Sequence, residues 1–443
     1  MGLVYFGLGR HKGGQADRQS ITHELVTGRK DDDKVGKNRE VVITGVGFVS
    51  NHSRTKDELW EKFEVSFQKP EPIKRFSTAQ FKSHTGYDLS DGFDIKRYTT
   101  NSKVTRKEFF SKLAVAAAVE TLRDAGINLR EIDPAMFGSI ITTVHGPIDA
   151  TFKYLSDLEK LGPQNVSPNL FQQTVLNVAG GQVSILMNLK GVSSTLVGCS
   201  SISYAYHLIE AGQADLILAG GVEEIHPHIY SSYDQLGLLS VDQGEGEFSK
   251  PLSGQANGVV LGDGAGFVLL ESMEHAAKRG AKIYAKICDY VTRVDPHFCK
   301  VFNEFVPEES SFFDVLQHIL QRNNLDPLAV DLISLAANSY PKIDQAELNG
   351  IKRLFADRPG KVSCVASKAI FGETLGNSEI YALIPVLLCF EKKNAPGLKY
   401  LSDHEVEEAL VVAREAKTDL NYALVNSFFV GGNVNCLLVK NMC

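Results

Sequence analysis

Apolar and polar positions along this chain repeat as short strands alternating with amphipathic helices. Val41-Val-Ile-Thr-Gly-Val-Gly-Phe-Val49 is a β-rich run broken by glycines where a strand would turn. Lys112 to Ala125 has alanine-rich helical spacing and stops at Gly126. Met136 to Thr143 predicts a strand, and Val178 to Leu189 a helix in which Gly180-Gly181 permits close packing. Thr195-Leu-Val-Gly-Cys-Ser-Ser201 leads into a helical segment from about Ile202 to Ala211, then a short buried strand, Ala214 to Ala219, ends in Gly220-Gly221. The second half resumes with the glycine-punctuated apolar run Gly258 to Leu270. Helices are expected over Phe312 to Asn323, Gln345 to Phe355 and Tyr381 to Phe390. Strands are expected over Leu332 to Ala336, Tyr422 to Asn426 with Phe428 and Phe429 beyond it, and Asn435 to Lys440. Both halves alternate strand, helix, strand, which predicts covered α/β sheets in two similar layers about a pseudo-twofold axis.

Composition narrows the class. The 443 residues are 43% hydrophobic and 22% charged, as in a globular protein. A net charge of −7 gives no general attraction for nucleic acid or anionic lipid. The seven cysteines are scattered without a CxxC pair, so reduced thiols in a cytoplasmic chain are expected rather than disulfides or a metal site. No apolar run is long enough for a membrane span. Met1 to Phe6 is apolar but is followed by Arg10, His11 and Lys12, the wrong order for a secretory signal. Residues 10–39, rich in Gly, Lys, Arg and Asp, read as a flexible arm.

Cys199 is the main candidate for chemistry. A thiol at a strand-to-helix transition meets helix-start N–H groups, which lower its pKa and can hold an oxyanion. The competing reading is a buried cysteine acting as a small hydrophobe. Gly45-Val-Gly47 does not open a nucleotide site, because Asn51 and His52 follow instead of a glycine-opened helix. His226 and His228 read as loop residues, without the ligand spacing a metal needs.

The order of several motifs resembles the β-ketoacyl synthases of the thiolase superfamily over roughly residues 40–440. They are Val42-Ile-Thr-Gly-Val-Gly47, Val166-Ser-Pro-Asn-Leu170, Asn177-Val-Ala-Gly-Gly-Gln182, Cys199-Ser-Ser201, Asp215-Leu-Ile-Leu-Ala-Gly-Gly221, Val260-Leu-Gly-Asp-Gly-Ala-Gly266 and Asn426-Ser-Phe-Phe-Val-Gly-Gly432. The resemblance implies an α/β, thiolase-like duplicated αβαβα layered fold. It sets a flexible extension at 1–39, an N-terminal half at 40–270 and a C-terminal half at 271–443. It also implies an obligate dimer, no bound cofactor, and substrates on the phosphopantetheine arm of an acyl carrier protein.

In that family a cysteine takes the acyl group and two histidines promote decarboxylation. The run carrying the first histidine matches Asp331 to Pro341, with Asp344-Gln-Ala-Glu347 downstream, and the histidine position is Ala336. The second belongs in Lys-Ser-x-x-Gly-His; here Lys368-Ala-Ile-Phe-Gly-Glu-Thr-Leu-Gly376 puts Glu373 in its place. An ionised glutamate accepts hydrogen bonds and repels developing negative charge, whereas a neutral imidazole can donate. Glu373 has two readings: a structural residue paired with Lys368, or a base near Cys199 whose pKa burial raises.

The leading expectation is a chain-length factor that pairs with an active ketosynthase and shapes the acyl or polyketide tunnel, as in type II polyketide and aryl-polyene systems. His145, Phe171, Phe428 and Phe429 are the tunnel candidates, and Cys199, Glu373 and Lys368 the catalytic ones. Such factors usually lack the cysteine, which keeps as the alternative a homodimeric, atypical Cys199-dependent acyltransferase or condensing enzyme using Glu373 in place of histidine. A noncatalytic carrier-docking or acyl-binding subunit is a third class.

Overall fold

Two runs of strands with the same order meet in one eleven-stranded sheet. In this computed structural model the described residues are 39–89, 92–198, 200–295, 306–357, 361–405, 412–413, 417–429 and 431–443. The strands are β1 (Val41–Val49), β2 (Glu71–Pro72), β3 (Thr85–Gly86), β4 (Phe137–Thr143), β5 (Ser193–Val197), β6 (Leu216–Glu223), β7 (Gly264–Ser272), β8 (Ala285–Val294), β9 (Val330–Ser334), β10 (Val362–Val365), β11 (Val412–Ala413), β12 (Tyr422–Phe429) and β13 (Asn433–Asn441). The longer helices are α1 (Lys56–Val65), α2 (Phe109–Asp124), α3 (Ile148–Leu161), α4 (Val178–Met187), α5 (Ser201–Glu210), α6 (Pro227–Gln235), α7 (Phe312–Arg322), α8 (Pro341–Leu354) and α9 (Ser378–Lys392).

The first half runs β5-β4-β6-β7-β1 and the second β10-β9-β12-β13-β8, with β11 added at the far edge. In each half the first strand in the chain lies last, antiparallel to a strand that is in turn antiparallel to the next, while the remaining three are mutually parallel. That repeat is the duplication expected from the alternating pattern. The halves join where Val41, Val42 and Ile43 of β1 pair with Ile287, Lys286 and Ala285 of β8.

The layers follow from burial. Helix α9 is buried at every position from Ser378 to Phe390, so no face of it is left for solvent. It packs against β6 and β7 of one half and β9 and β12 of the other, which sets it between the two halves. Helix α5 lies on the strands of the first half, and α2 with α4 covers the opposite side. Helices α7 and α8 pack together, and α7 lies against β8 and β13. The result is the thiolase-like αβαβα stack. No helix among the described residues is long and apolar enough to cross a membrane.

Several expected boundaries shift for physical reasons. The glycines of β1 and β6 do not turn the chain: both strands run through them to Val49 and Glu223. A Cβ on Gly47 would stand 2.3 Å from the Thr121 backbone nitrogen, so the glycine lets α2 lie directly on β1. Helix α8 begins at Pro341, earlier than Gln345, because proline suits the first helical turn. His226 and His228 are not in a loop: His226 is the N-cap of α6 and its Nδ1 accepts from the His228 backbone N–H at 3.4 Å. Helix α3 and strand β8 carried no clear signal. The 1–39 arm lies outside the described residues up to Asn38.

The close seating of α2 on β1 makes Gly47→Ala an overpacking change, expected to cost about 1–3 kcal/mol of unfolding free energy by urea titration.

Candidate functional site

Two buried acids fix the loop that follows β9. Glu347 on α8 accepts from the backbone N–H groups of Ala336 at 3.0 Å and Ala337 at 2.6 Å, and from Asn426 Nδ2 of β12 at 2.7 Å. Asp344, one turn earlier, accepts from Asn338 N at 2.8 Å, Ser339 N at 3.1 Å and Leu252 N at 2.7 Å. Burial pushes the Asp344 carboxyl up to about 7 and raises that of Glu347, against the pull of these donors. The Ala336 methyl is buried in the second-half core, which also holds Phe428.

Lys368 joins that loop to Glu373. Its ammonium donates to the Ala336 carbonyl at 2.9 Å and to Glu373 Oε2 at 2.8 Å, with both side chains almost wholly buried. Glu373 also accepts from Asn338 Nδ2 at 2.9 Å, Ser378 Oγ at 2.7 Å and the Leu375 backbone N–H at 3.0 Å. Its own backbone is held by Val260, whose carbonyl accepts at 2.7 Å, and by Gly262, which donates at 3.0 Å. Gly372 precedes it at φ +72, where a Cβ would meet Tyr87 Cδ2 at 2.4 Å, so the turn that aims Glu373 inward requires glycine.

The titration of Glu373 corrects one expectation. Burial pushes its pKa up, but the Lys368 charge and hydrogen bond, with Asn338 and Ser378, pull it below the usual carboxylate range. Glu373 is therefore ionised and occupied by four donors, not a protonated acid or a base poised by burial. Neither it nor Ala336 offers a proton to an enolate or thioester oxygen.

A second carboxylate organises the neighbouring turn. Glu223, at the end of β6, accepts from Val144 N at 2.8 Å, His145 N at 3.0 Å and Gly376 N at 3.2 Å. His145 Nδ1 stands 3.5 Å from Glu223, and its ring meets Tyr233 edge-on at 6.4 Å. Tyr233 senses both Glu373 and Glu223, and with burial these keep its phenol neutral. Phe171 lies elsewhere, 53% exposed and tilted against Tyr154 of α3 at 5.6 Å.

The structure thus brings Lys368, Glu373 and the Ala336 carbonyl together, reaches His145 through Glu223, and leaves Phe171 on the surface. Cys199 and the Phe429 side chain lie outside the described residues. On either side of Cys199, Gly198 ends the turn from β5 at φ +131 and Ser200 begins α5 without a side-chain cap. Asn338, Ser378, Glu223 and Tyr233 escaped sequence reasoning. The Asp344–Glu347 spacing was visible but not its use.

The layered fold and this motif order define a thiolase-type condensing-enzyme scaffold. Residues 38–276 match the Beta-ketoacyl synthase N-terminal domain and residues 284–399 the Beta-ketoacyl synthase C-terminal domain. The chain belongs to the β-ketoacyl synthase family. It is 29% identical over 415 residues to the 3-oxoacyl-[acyl-carrier-protein] synthase 2 of Vibrio harveyi, covering 91% of this chain and 99% of that one. A protein of the same name from Staphylococcus aureus is 27% identical over 414 residues, with 92% and 99% covered. Among solved structures, the ishigamide ketosynthase/chain length factor superposes with a TM-score of 0.80 at 22% identity, covering 92% and 100%. A β-ketoacyl synthase from Burkholderia phymatum gives 0.79 at 24% identity, covering 91% and 100%.

Removing one partner of the buried pair strands the other charge. Lys368→Met is expected to cost roughly 3–5 kcal/mol, and the Lys368→Met/Glu373→Leu double variant much less, by urea unfolding. Because the folded pKa of Glu373 is depressed, its stabilisation is full above the unfolded value and fades as pH falls through the folded one. The double variant should lose that part of the acid sensitivity.

Proposed function

We propose that this chain is a ketosynthase-like chain-length-factor subunit. It pairs with an active ketosynthase, shapes the tunnel for a carrier-bound acyl or polyketide chain, and performs no decarboxylative condensation of its own. The observation that carries this reading is the saturated Glu373. The position of a proton-donating imidazole holds an ionised carboxylate neutralised by Lys368, and the other histidine position is the buried Ala336. An enolate forming there would find neither of the two imidazole donors, only a carboxylate that accepts. The names of the relatives add support at family level, since the synthases act on acyl-carrier-protein substrates and one similar fold is a ketosynthase/chain length factor.

An unpartnered apolar face supports the pairing. Helix α3 buries only Ala150 of its own residues. Leu155, Leu161, Phe171, Leu176, Ile185 and Val197 are each at least two-fifths exposed, more than singly scattered apolar residues explain. β5 forms the sheet edge beside them. A face of this kind fits the apolar centre of an obligate interface.

A basic groove of about 610 Å³ supports a carrier protein as the second partner. Lys103, Arg106 and Lys107 line it together with Gln172, Gln173 and Gln182, and no acidic side chain does. Among the described residues none of the three cations is in an ion pair. On an acidic chain such a patch steers an acidic partner, such as a phosphopantetheine carrier. Tunnel roles for His145, Phe171, Phe428 and Phe429 belong to the same proposal, as do the halves 40–270 and 271–443 and a cytoplasmic setting.

Reconstitution with carrier and ketosynthase tests the reading. The chain alone should release no carbon dioxide from malonyl-carrier at a rate comparable with a complete synthase. Cys199→Ala should leave product formation by the assembled complex largely intact. Loss of all product from an intact Cys199→Ala complex would instead favour direct acyl transfer through that thiol.

The groove has its own test. Lys103→Glu/Arg106→Glu/Lys107→Glu should weaken carrier binding about tenfold or more at low salt, with a smaller difference at high salt. Calorimetry against the apo-carrier measures both.

A further inference from the structure

A small cavity in the first half shares no residue with the network around Glu373 or with the basic groove. It has a volume of about 40 Å³ and lies between the turn after β1 and the segment from Gly92 to Tyr98. One water needs roughly 10–15 Å³ of such space, so the cavity fits a single small polyatomic ion and no nucleotide. Arg54 and Arg97 both line it, and both are exposed, so they stand at its opening. Ser53 lines it too, is 2% exposed, and its hydroxyl has no hydrogen-bond partner. The Ser50 hydroxyl donates to the Ser53 carbonyl at 3.2 Å and fixes that turn.

The two guanidinium groups converge on this space. The Tyr98 phenol, in the cavity wall, senses the charges of both. A Cβ on Gly92 would stand 3.6 Å from Arg54 Nη2, which sets that guanidinium over the Gly92 backbone. Phe93 stacks on Tyr98 at 6.1 Å and stiffens the wall. Among the described residues no carboxylate lies within ion-pair distance of either arginine. Other arginines of this half do pair, Arg75 with Asp88 at 2.9 Å and Arg123 with Glu120. Asp94 is the one acid lining the cavity, and its Oδ1 accepts from the Lys96 backbone N–H at 3.0 Å. One carboxylate against two guanidinium groups leaves the cavity positive. Like charges brought to one space repel, and a buried hydroxyl without a partner costs free energy. A single bound oxyanion relieves both.

We propose that the cavity formed by Ser53, Arg54 and Arg97 is a binding site for a phosphate group, either free orthophosphate or the end of a phosphomonoester. The guanidinium forks donate to phosphate oxygens and the Ser53 hydroxyl donates to one more. Planar forks with several directed N–H groups suit a tetrahedral oxyanion, whereas chloride offers them no set of separate acceptors. The inference stands whether or not the chain pairs with a ketosynthase.

Calorimetry and thermal melting of the full-length chain against inorganic phosphate test this, with sodium chloride at equal ionic strength as reference. Wild type should show a saturable site and melt higher as it fills. Phosphate also stabilises by exclusion from protein surfaces, but that part is common to every variant. Arg54→Gln/Arg97→Gln should bind phosphate about tenfold or more weaker and lose the saturable rise in melting temperature. Ser53→Ala discriminates a ligand site from a structural serine. Its hydroxyl has no partner to lose, so the unliganded variant should melt no lower than wild type, yet bind phosphate about threefold or more weaker. Glycerol 3-phosphate, with glycerol as control, separates the sources: competition with phosphate admits a phosphomonoester, and none confines the site to orthophosphate. No saturable site in wild type overturns the proposal. So does unchanged affinity in R54Q/R97Q, which would put the ion elsewhere. If R54Q/R97Q does not fold, Ser53→Ala decides alone, and unchanged phosphate affinity in it overturns the proposal.

Discussion

The Lys368–Glu373 pair is the constraint on which the rest of the site depends. An ammonium and a carboxylate buried together are tolerable only when each is matched and the remaining lone pairs are filled. The fold meets that condition from four directions: the Ala336 carbonyl, the Asn338 amide, the Ser378 hydroxyl and the Leu375 backbone. Those groups come from the loop after β9, the turn after Gly372 and the start of α9. One ion pair thereby ties the central helix to the second half of the sheet, and the oxygens of its carboxylate are taken up by four donors.

Buried carboxylates recur throughout this region with different roles. Glu347 and Asp344 hold a loop by backbone donors, Glu223 holds the turn at His145 and reaches Gly376, and Glu379 spans two helix starts. At Glu373 the Lys368 charge and the side-chain donors outweigh burial and the pKa falls; at Asp344 and Glu379, held by backbone N–H groups, burial wins and it rises. The arrangement resembles a scaffold in which acids replace mobile chemistry with fixed geometry.

Much of the fold was legible because strands and helices of the two halves carry clean periodicity, as in α2, α7 and β13. The duplication was readable as alternation, not as repeated residues. Glycines misled at β1 and β6, where they serve helix and side-chain approach rather than turns. Helix α3 went unread although Ile148, Phe152, Leu155 and Leu158 have helical spacing; only Ala150 of it is fully buried. At the site, Ala336 and Glu373 could be located by motif, and the pairing with Lys368 was one of two readings. Its partners Asn338 and Ser378 are ordinary polar residues that only three-dimensional proximity makes significant. The raised pKa expected for a base at Glu373 failed because Lys368, five residues earlier in the same motif, sets its charge against that carboxylate and outweighs burial.

The edge of the sheet at β5 has a consequence for how the chain meets other strands. Among the described residues β11 lies at one end of the sheet with two residues. The other end, Ser193-Ser-Thr-Leu-Val197, is longer, partly exposed, and carries neither proline nor charge, the usual guards of an edge strand. It borders Ile185 and other exposed apolar side chains on the same helical neighbourhood. An edge of this kind offers its unpaired N–H and C=O groups to any strand that meets it, so it is the place where this chain is open to strand addition and aggregation.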